Sequence, residues 1–247
     1  MGIVRSVARW SATAIVAAGA LVVTAPPATA APRVEMTDGT VVTDAATGRA
    51  AVIVGDSRMN FRDIEALEDA GCGADFVVTL PSEVFRAIPS GPDPLYAAAQ
   101  RDVDVDRITP DPQYRENCHE LYRADRRAPQ EIFETGFTAW DTVDGQYDVR
   151  SYVLKNQPSP FVSTTYRDDL YRAWKSPYYY YIDAPGGIDV NDTIGRDHKY
   201  ADQAEVAFPG GLATRFIVKG CPVDRQTLTI IEDRCEANPH YRPWRER

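Results

Sequence analysis

Short apolar runs, rich in β-branched and aromatic residues and separated by turn formers, recur along most of the chain, while helical spacing is confined to a few stretches. In the first half, 51–55 (AVIVG) and 76–80 (FVVTL) read as strands, and the acidic stretch 61–70 between them reads as a helix stopped by Gly71. Further on, strands are predicted at 119–123, 161–165, 178–184, 205–208, 215–219 and 227–232. Pro129 in a first turn, with Gln130 and Glu131 behind it and Gly136 past the end, frames one short helix. Thr165 is placed to cap a second, with Asp168 and Asp169 in its first turn, Arg172 and Lys175 in its last, and Leu170 and Trp174 on one face. Many short strands and few helices predict an α+β fold of two packed, mainly antiparallel sheets with short helices, preceded by a small α/β N-terminal region.

Three segments divide the chain. Residues 1–30 read as a signal peptide: Arg5 and Arg9 open it, 12–24 form an apolar run too short to span a bilayer, and Ala28-Thr29-Ala30 is a small-residue cleavage site. Residues 31–115 read as an accessory region, its role open between targeting, autoinhibition and other support, with a proline- and aspartate-rich linker at 88–113. Residues 116–247 carry the chemistry. The expected product is an exported, monomeric protein without stable membrane association.

Charge and cysteine content narrow the classes. The net charge of −9 combines +2 from Arg5 and Arg9 in the leader with −7 in 32–115 and −4 in 116–247, so counterion release on long duplexes has no basic groove to act through. The four cysteines of an exported chain suggest two disulfides. Three pairings are open, of which we favour Cys72–Cys118 and Cys221–Cys235. His119, His198 and His240 are far apart, with no HExxH or Cys-x-x-Cys beside them, so neither a metal site nor a Ser-His-Asp triad is expected. Gly71-Cys72-Gly73 lacks the third glycine and follows a helix, which discounts a dinucleotide fingerprint.

Three stretches remain to be explained: LYRADRRAPQEI (121–132), FVSTT (161–165) and YADQAEVAFPGG (200–211). Singly, each reads as ordinary sheet surface. In this order they resemble the cholera- and pertussis-like mono-ADP-ribosyltransferase toxins, marked by an Arg on the first strand, a Ser-Thr-Ser/Thr strand and a Gln/Glu-x-Glu loop. YYYYIDAPGGIDVNDTIG (178–195) adds to the match, and the nearest subgroup is that of the scabin- and pierisin-like, guanine-modifying enzymes.

The resemblance implies NAD as co-substrate, no metal, and named roles. Cleavage of the nicotinamide–ribose bond leaves an oxocarbenium-like sugar that a carboxylate beneath it stabilises; this is Glu205. Arg123 supplies a fork-shaped cation for the pyrophosphate, with Asp125 on the same strand face steadying it. Ser163 holds Glu205, and Thr164 and Thr165 complete the NAD-binding motif. Arginine-modifying members carry Glu where this chain has Gln203; an amide cannot be a base but both donates and accepts, which suits a guanine edge or an asparagine or cysteine side chain. Tyr200, Trp174, Lys175 and Asn156 match the subgroup's acceptor-side residues, with Tyr200 a platform for a flipped or unpaired base. The expected acceptor is guanine in a nucleoside, nucleotide or DNA. The alternatives are a host protein side chain, water alone, and a binding protein with an inactive fold.

Overall fold

The β-branched runs of the first third build a small sheet. The computed structural model describes residues 36–73 and 76–245; the expected signal peptide lies outside the described residues. Strands β1 (Val41–Asp44), β2 (Ala50–Val54) and β3 (Ser57–Phe61) form an antiparallel meander. Helix α1 (Ile64–Asp69), whose first turn is capped by Asp63 accepting from the Ala66 amide at 2.8 Å, leads to β4 (Val77–Leu80), parallel to β1. Helix α2 (Ser82–Ala87) closes this unit, whose sheet order is β3-β2-β1-β4. The expected runs 51–55 and 76–80 are β2 and β4. The other two strands were missed, because β3 (SRMNF) mixes charge with apolar residues and β1 is only four residues long.

The remaining strands are β5 (Leu121–Asp125), β6 (Phe161–Thr165), β7 (Tyr178–Ile182), β8 (Ile188–Asp189), β9 (Glu205–Pro209), β10 (Ile217–Asp224), β11 (Thr229–Ile230) and β12 (Glu236–Ala237). They run in the order β11-β10-β7-β5-β6-β9-β8, with β12 beside β10. The fold is thus mixed α+β with two mainly antiparallel sheets and few short helices, as expected. In the 116–247 half, the strands form two blocks of one path, β10-β7-β5 and β6-β9-β8, and the blocks meet through a single residue pair, Tyr122 with Thr165.

Helix α3 (Pro129–Thr135) begins at its proline and ends at Gly136, whose φ of 71° suits glycine and whose missing Cβ lets the Leu212 carbonyl approach. Helices α4 (Val149–Lys155) and α5 (Val190–Ile194) had not been expected. Asp148 and Asp189 cap them, and they are only seven and five residues long, too short for a sustained helical pattern. The helix expected after Thr165 is instead a single 3-10 turn over Leu170–Arg172. Thr165 stays in β6, where its hydroxyl accepts the Arg167 amide at 2.9 Å, and Arg167 pairs with Asp169 at 2.8 Å.

The two largest of four apolar clusters among the described residues hold the sheets. One joins Val52, Met59 and Leu67 of the small unit to Phe133, Phe137, Tyr180 and Phe216; the other packs Val103, Ile108 and Tyr147 with Phe161, Ile188 and Ala207. The segment 88–113, expected to be a linker, is a strap along the larger sheet: the Gln100 amide donates to Gly210 at 2.9 Å and the Ala213 amide to Ala97 at 2.8 Å. Prolines keep it out of a ladder, while Val103 and Ile108 still anchor it. Disulfides link Cys72 to Cys118 and Cys221 to Cys235, the favoured pairing. Among the described residues no helix is long and apolar enough to cross a membrane.

Candidate active site

Where β5 and β6 part beyond their shared pair, the sheet opens into a cleft of about 220 Å³. Strand alternation sends Arg123 into the gap, and its Nη1 donates to the Ser163 carbonyl across it at 2.6 Å. The guanidinium lies 5.1 Å from the Phe137 ring centroid. Asp125, two residues on, accepts from Arg123 Nε at 3.1 Å and from the amide, Nε and Nη2 of Arg127 at 3.0 Å each. Burial pushes the Asp125 carboxyl up, but the Arg127 hydrogen bonds and the two arginine charges outweigh it and hold it at about 2. Asp125 is therefore an ionised clamp behind Arg123 rather than a wall of the cleft.

Glu205 opens β9, paired with Thr165 of β6, and is buried. Burial raises its carboxyl above the ordinary value; hydrogen bonds from Ser163 and Tyr152 and the charge of Arg123 pull it back down. Tyr152 comes from α4, and its own hydroxyl is raised well above the ordinary value by burial and by the Glu205 charge. A desolvated carboxylate that shares a cleft with two hydroxyls and a guanidinium is placed to meet positive charge that develops in front of it.

The loop before β9 is fixed just as firmly. A 3-10 turn over Ala201–Gln203 ends at Ala204, which adopts φ 47° and ψ 54°, a left-handed conformation costly for a residue with a Cβ. That bend lets Gln203 and Glu205 line one cleft although only the latter lies in a strand. Thr165 donates to the Gln203 carbonyl, and Thr164 to the Val206 carbonyl at 2.9 Å, so both hydroxyls tie β6 to β9 and to this loop.

Of the residues singled out from sequence, Arg123, Asn156, Ser163, Thr164, Thr165, Trp174, Gln203 and Glu205 line the cleft. Asp125, Lys175 and Tyr200 do not: Lys175 is exposed outside it, and Tyr200 packs partly against the core under β6 with Lys199 Nζ 4.6 Å from its ring. Among the lining residues that escaped the sequence reading, two carry large side chains into the cleft wall, Tyr152 and Trp140. Asp148 four residues ahead and Asn156 in a left-handed cap mark the helix that carries Tyr152, a usable though weak signal. Trp140 sits in a loop without a motif.

The chain matches the family described as Scabin-like over residues 121–241. A guanine-specific ADP-ribosyl transferase of Streptomyces coelicolor is 62% identical over 159 residues, which make up 64% of this chain and 78% of that protein. The chain belongs to the scabin-like family of ADP-ribosyltransferases. Pierisin of Pieris brassicae is 40% identical over 110 residues, 39% of this chain but only 13% of that much longer protein. Scabin of Streptomyces scabies, solved in complex with NADH, superposes with a TM-score of 0.62 at 60% identity, over 63% of this chain and 95% of scabin. The family match begins at the first residue of β5, so the four-stranded sheet lies outside it.

Proposed function

We propose that this scabin-like chain transfers ADP-ribose from NAD to guanine, in nucleosides, nucleotides or exposed DNA bases. The observation that carries the reading is the buried Glu205, which shares one cleft with Ser163, Tyr152, Arg123 and Gln203. The nucleobase named for the Streptomyces coelicolor relative supports the acceptor.

In this reading Arg123, braced by Asp125, grips the pyrophosphate. The bond between ribose C1′ and the nicotinamide nitrogen breaks, and nicotinamide leaves with the bonding pair. Glu205 stabilises the oxocarbenium ion from below, accepting from the 2′-hydroxyl. The exocyclic amine of guanine then forms a bond to C1′ and releases a proton to the Glu205 carboxylate, while Gln203 holds the base edge through its paired donor and acceptor. Trp174 borders the acceptor side. Water reaching the same cation gives slow NAD hydrolysis.

The test is labelled NAD offered with guanosine, with a single-stranded oligonucleotide and with cell protein, using the unsubstituted chain and Glu205→Ala. A guanosine adduct absent from the variant is expected; label appearing only on protein would move the acceptor to a side chain. Export after Ala30 belongs to the same reading, supported by the leader composition and by two disulfides. Sequencing the N-terminus of protein recovered from the medium checks it.

A further inference from the structure

Trp140 is 70% exposed, yet it stands on the wall of the cleft. A large indole left in water at a rigid position is a ready stacking surface for a flat ring, and its loop is rigid. The Asp141 amide donates to Ser159 at 3.0 Å, and the Asp141 carboxylate accepts the Val143 and Asp144 amides at 3.0 and 2.9 Å. The strap braces the loop from behind: Gln100 Oε1 accepts the Ala139 amide at 2.6 Å, Asp102 accepts the Thr142 hydroxyl at 2.8 Å, and Arg107 donates to Val143 at 2.6 Å.

The position of Trp140 along β6 says which ring it takes. Glu205 pairs with Thr165 at one end of that strand, the end shared with Gln203 and the Leu170–Trp174 turn. Arg123 reaches the middle, at Ser163. The Trp140 loop meets the other end through Ser159, two residues before Phe161. Thr165 lies four residue steps along the strand from Phe161, roughly 13 Å. With the reactive ribose at Glu205 and the pyrophosphate at Arg123, the adenosine of NAD extends toward Trp140. We propose that Trp140 is the stacking platform for the adenine ring of NAD, and that the strap is the element holding it there. This rests on the reading of the cleft as an NAD site.

The experiment compares Trp140→Ala and Trp140→Phe with the unsubstituted chain in two assays: titration with AMP, which carries the adenine end alone and needs no turnover, and steady-state kinetics with NAD and guanosine. Trp140→Ala is expected to weaken AMP binding and to raise KM for NAD by about tenfold each, with KM for guanosine unaltered and with Trp140→Phe recovering most of the loss. A raised KM for guanosine with unaltered AMP binding would overturn the proposal by moving the ring to the acceptor. Unaltered values throughout would overturn it outright. If the unsubstituted chain binds AMP in a Trp140-dependent way but consumes no NAD, the transferase reading fails while the adenine platform stands.

Discussion

The two sheets treat buried charge in opposite ways. In the four-stranded sheet, Arg58 is buried and spent inside the structure: its Nε donates to the Phe85 and Ile88 carbonyls at 3.1 and 3.2 Å, Nη1 to Asn60, and its guanidinium covers the Phe85 ring at 4.4 Å. Asp44 is likewise used up by its own turn, accepting the Ala46 amide at 3.0 Å and the Thr47 hydroxyl at 2.8 Å. In the larger sheet, Glu205 is buried just as firmly and Arg123 is half-buried, but both also face a cleft. Burial of charge alone therefore does not mark a site. A buried charge braced on one side and open on the other does, and that state needs a break in the ladder such as the one between β5 and β6.

Substitutions on either side sharpen this contrast. Glu205→Gln keeps the shape and removes the charge, and a fall in transfer rate of about 10²–10³-fold is expected, without loss of thermal stability because a desolvated carboxylate is removed. Kinetics and a melting curve on the same sample check both halves of that statement. Tyr152→Phe removes one hydrogen bond that lowers the Glu205 carboxyl, so its value rises and the acidic limb of the pH–rate profile moves to higher pH, with a several-fold loss of rate at neutral pH. An unmoved limb would reduce Tyr152 to packing.

The Asp125 clamp should show in stability rather than in rate. Its folded value of about 2 lies below the ordinary value of roughly 3.9, so its contribution is complete above pH of about 4 and is lost as pH falls toward 2. That amounts to about 2 kcal/mol, read as the difference in acid unfolding between the unsubstituted chain and Asp125→Asn. The smallest effect belongs to the other sheet. Ile53→Val, in a cluster confined to the first unit, is expected to cost about 1 kcal/mol of stability and leave KM for NAD as it was. A shifted KM there would show that the small sheet reaches the site.

The most legible parts of the sequence were those where local chemistry and tertiary role agree. β6 begins and ends where FVSTT does, because its alternation and β-branching suit a strand buried on both faces. Pro129 and Gly136 bound α3 for reasons internal to the backbone. Tyr178 to Tyr181 alternate as sheet residues should, Tyr180 entering the shared core and Tyr179 stacking on Tyr122 at 5.7 Å. What stayed hidden depends on partners distant in the chain. Tyr152 matters because α4 brings it into the cleft with Glu205, and Trp140 because a strap some forty residues upstream supports its loop. Nor does any local pattern announce that Thr165 ends a strand rather than starting a helix, since its hydroxyl serves the neighbouring turn and loop in either case.

The single rung between the two blocks of the larger sheet has a mechanical consequence. A continuous ladder resists widening with every hydrogen bond along it, whereas here the rim can flex about one backbone pair. The aperture is thus governed by a compliant seam, while the side chains at its edges stay anchored in stiff material on either side. A site made this way admits a long dinucleotide and a flat base in succession, and recovers its geometry between them without unfolding any strand.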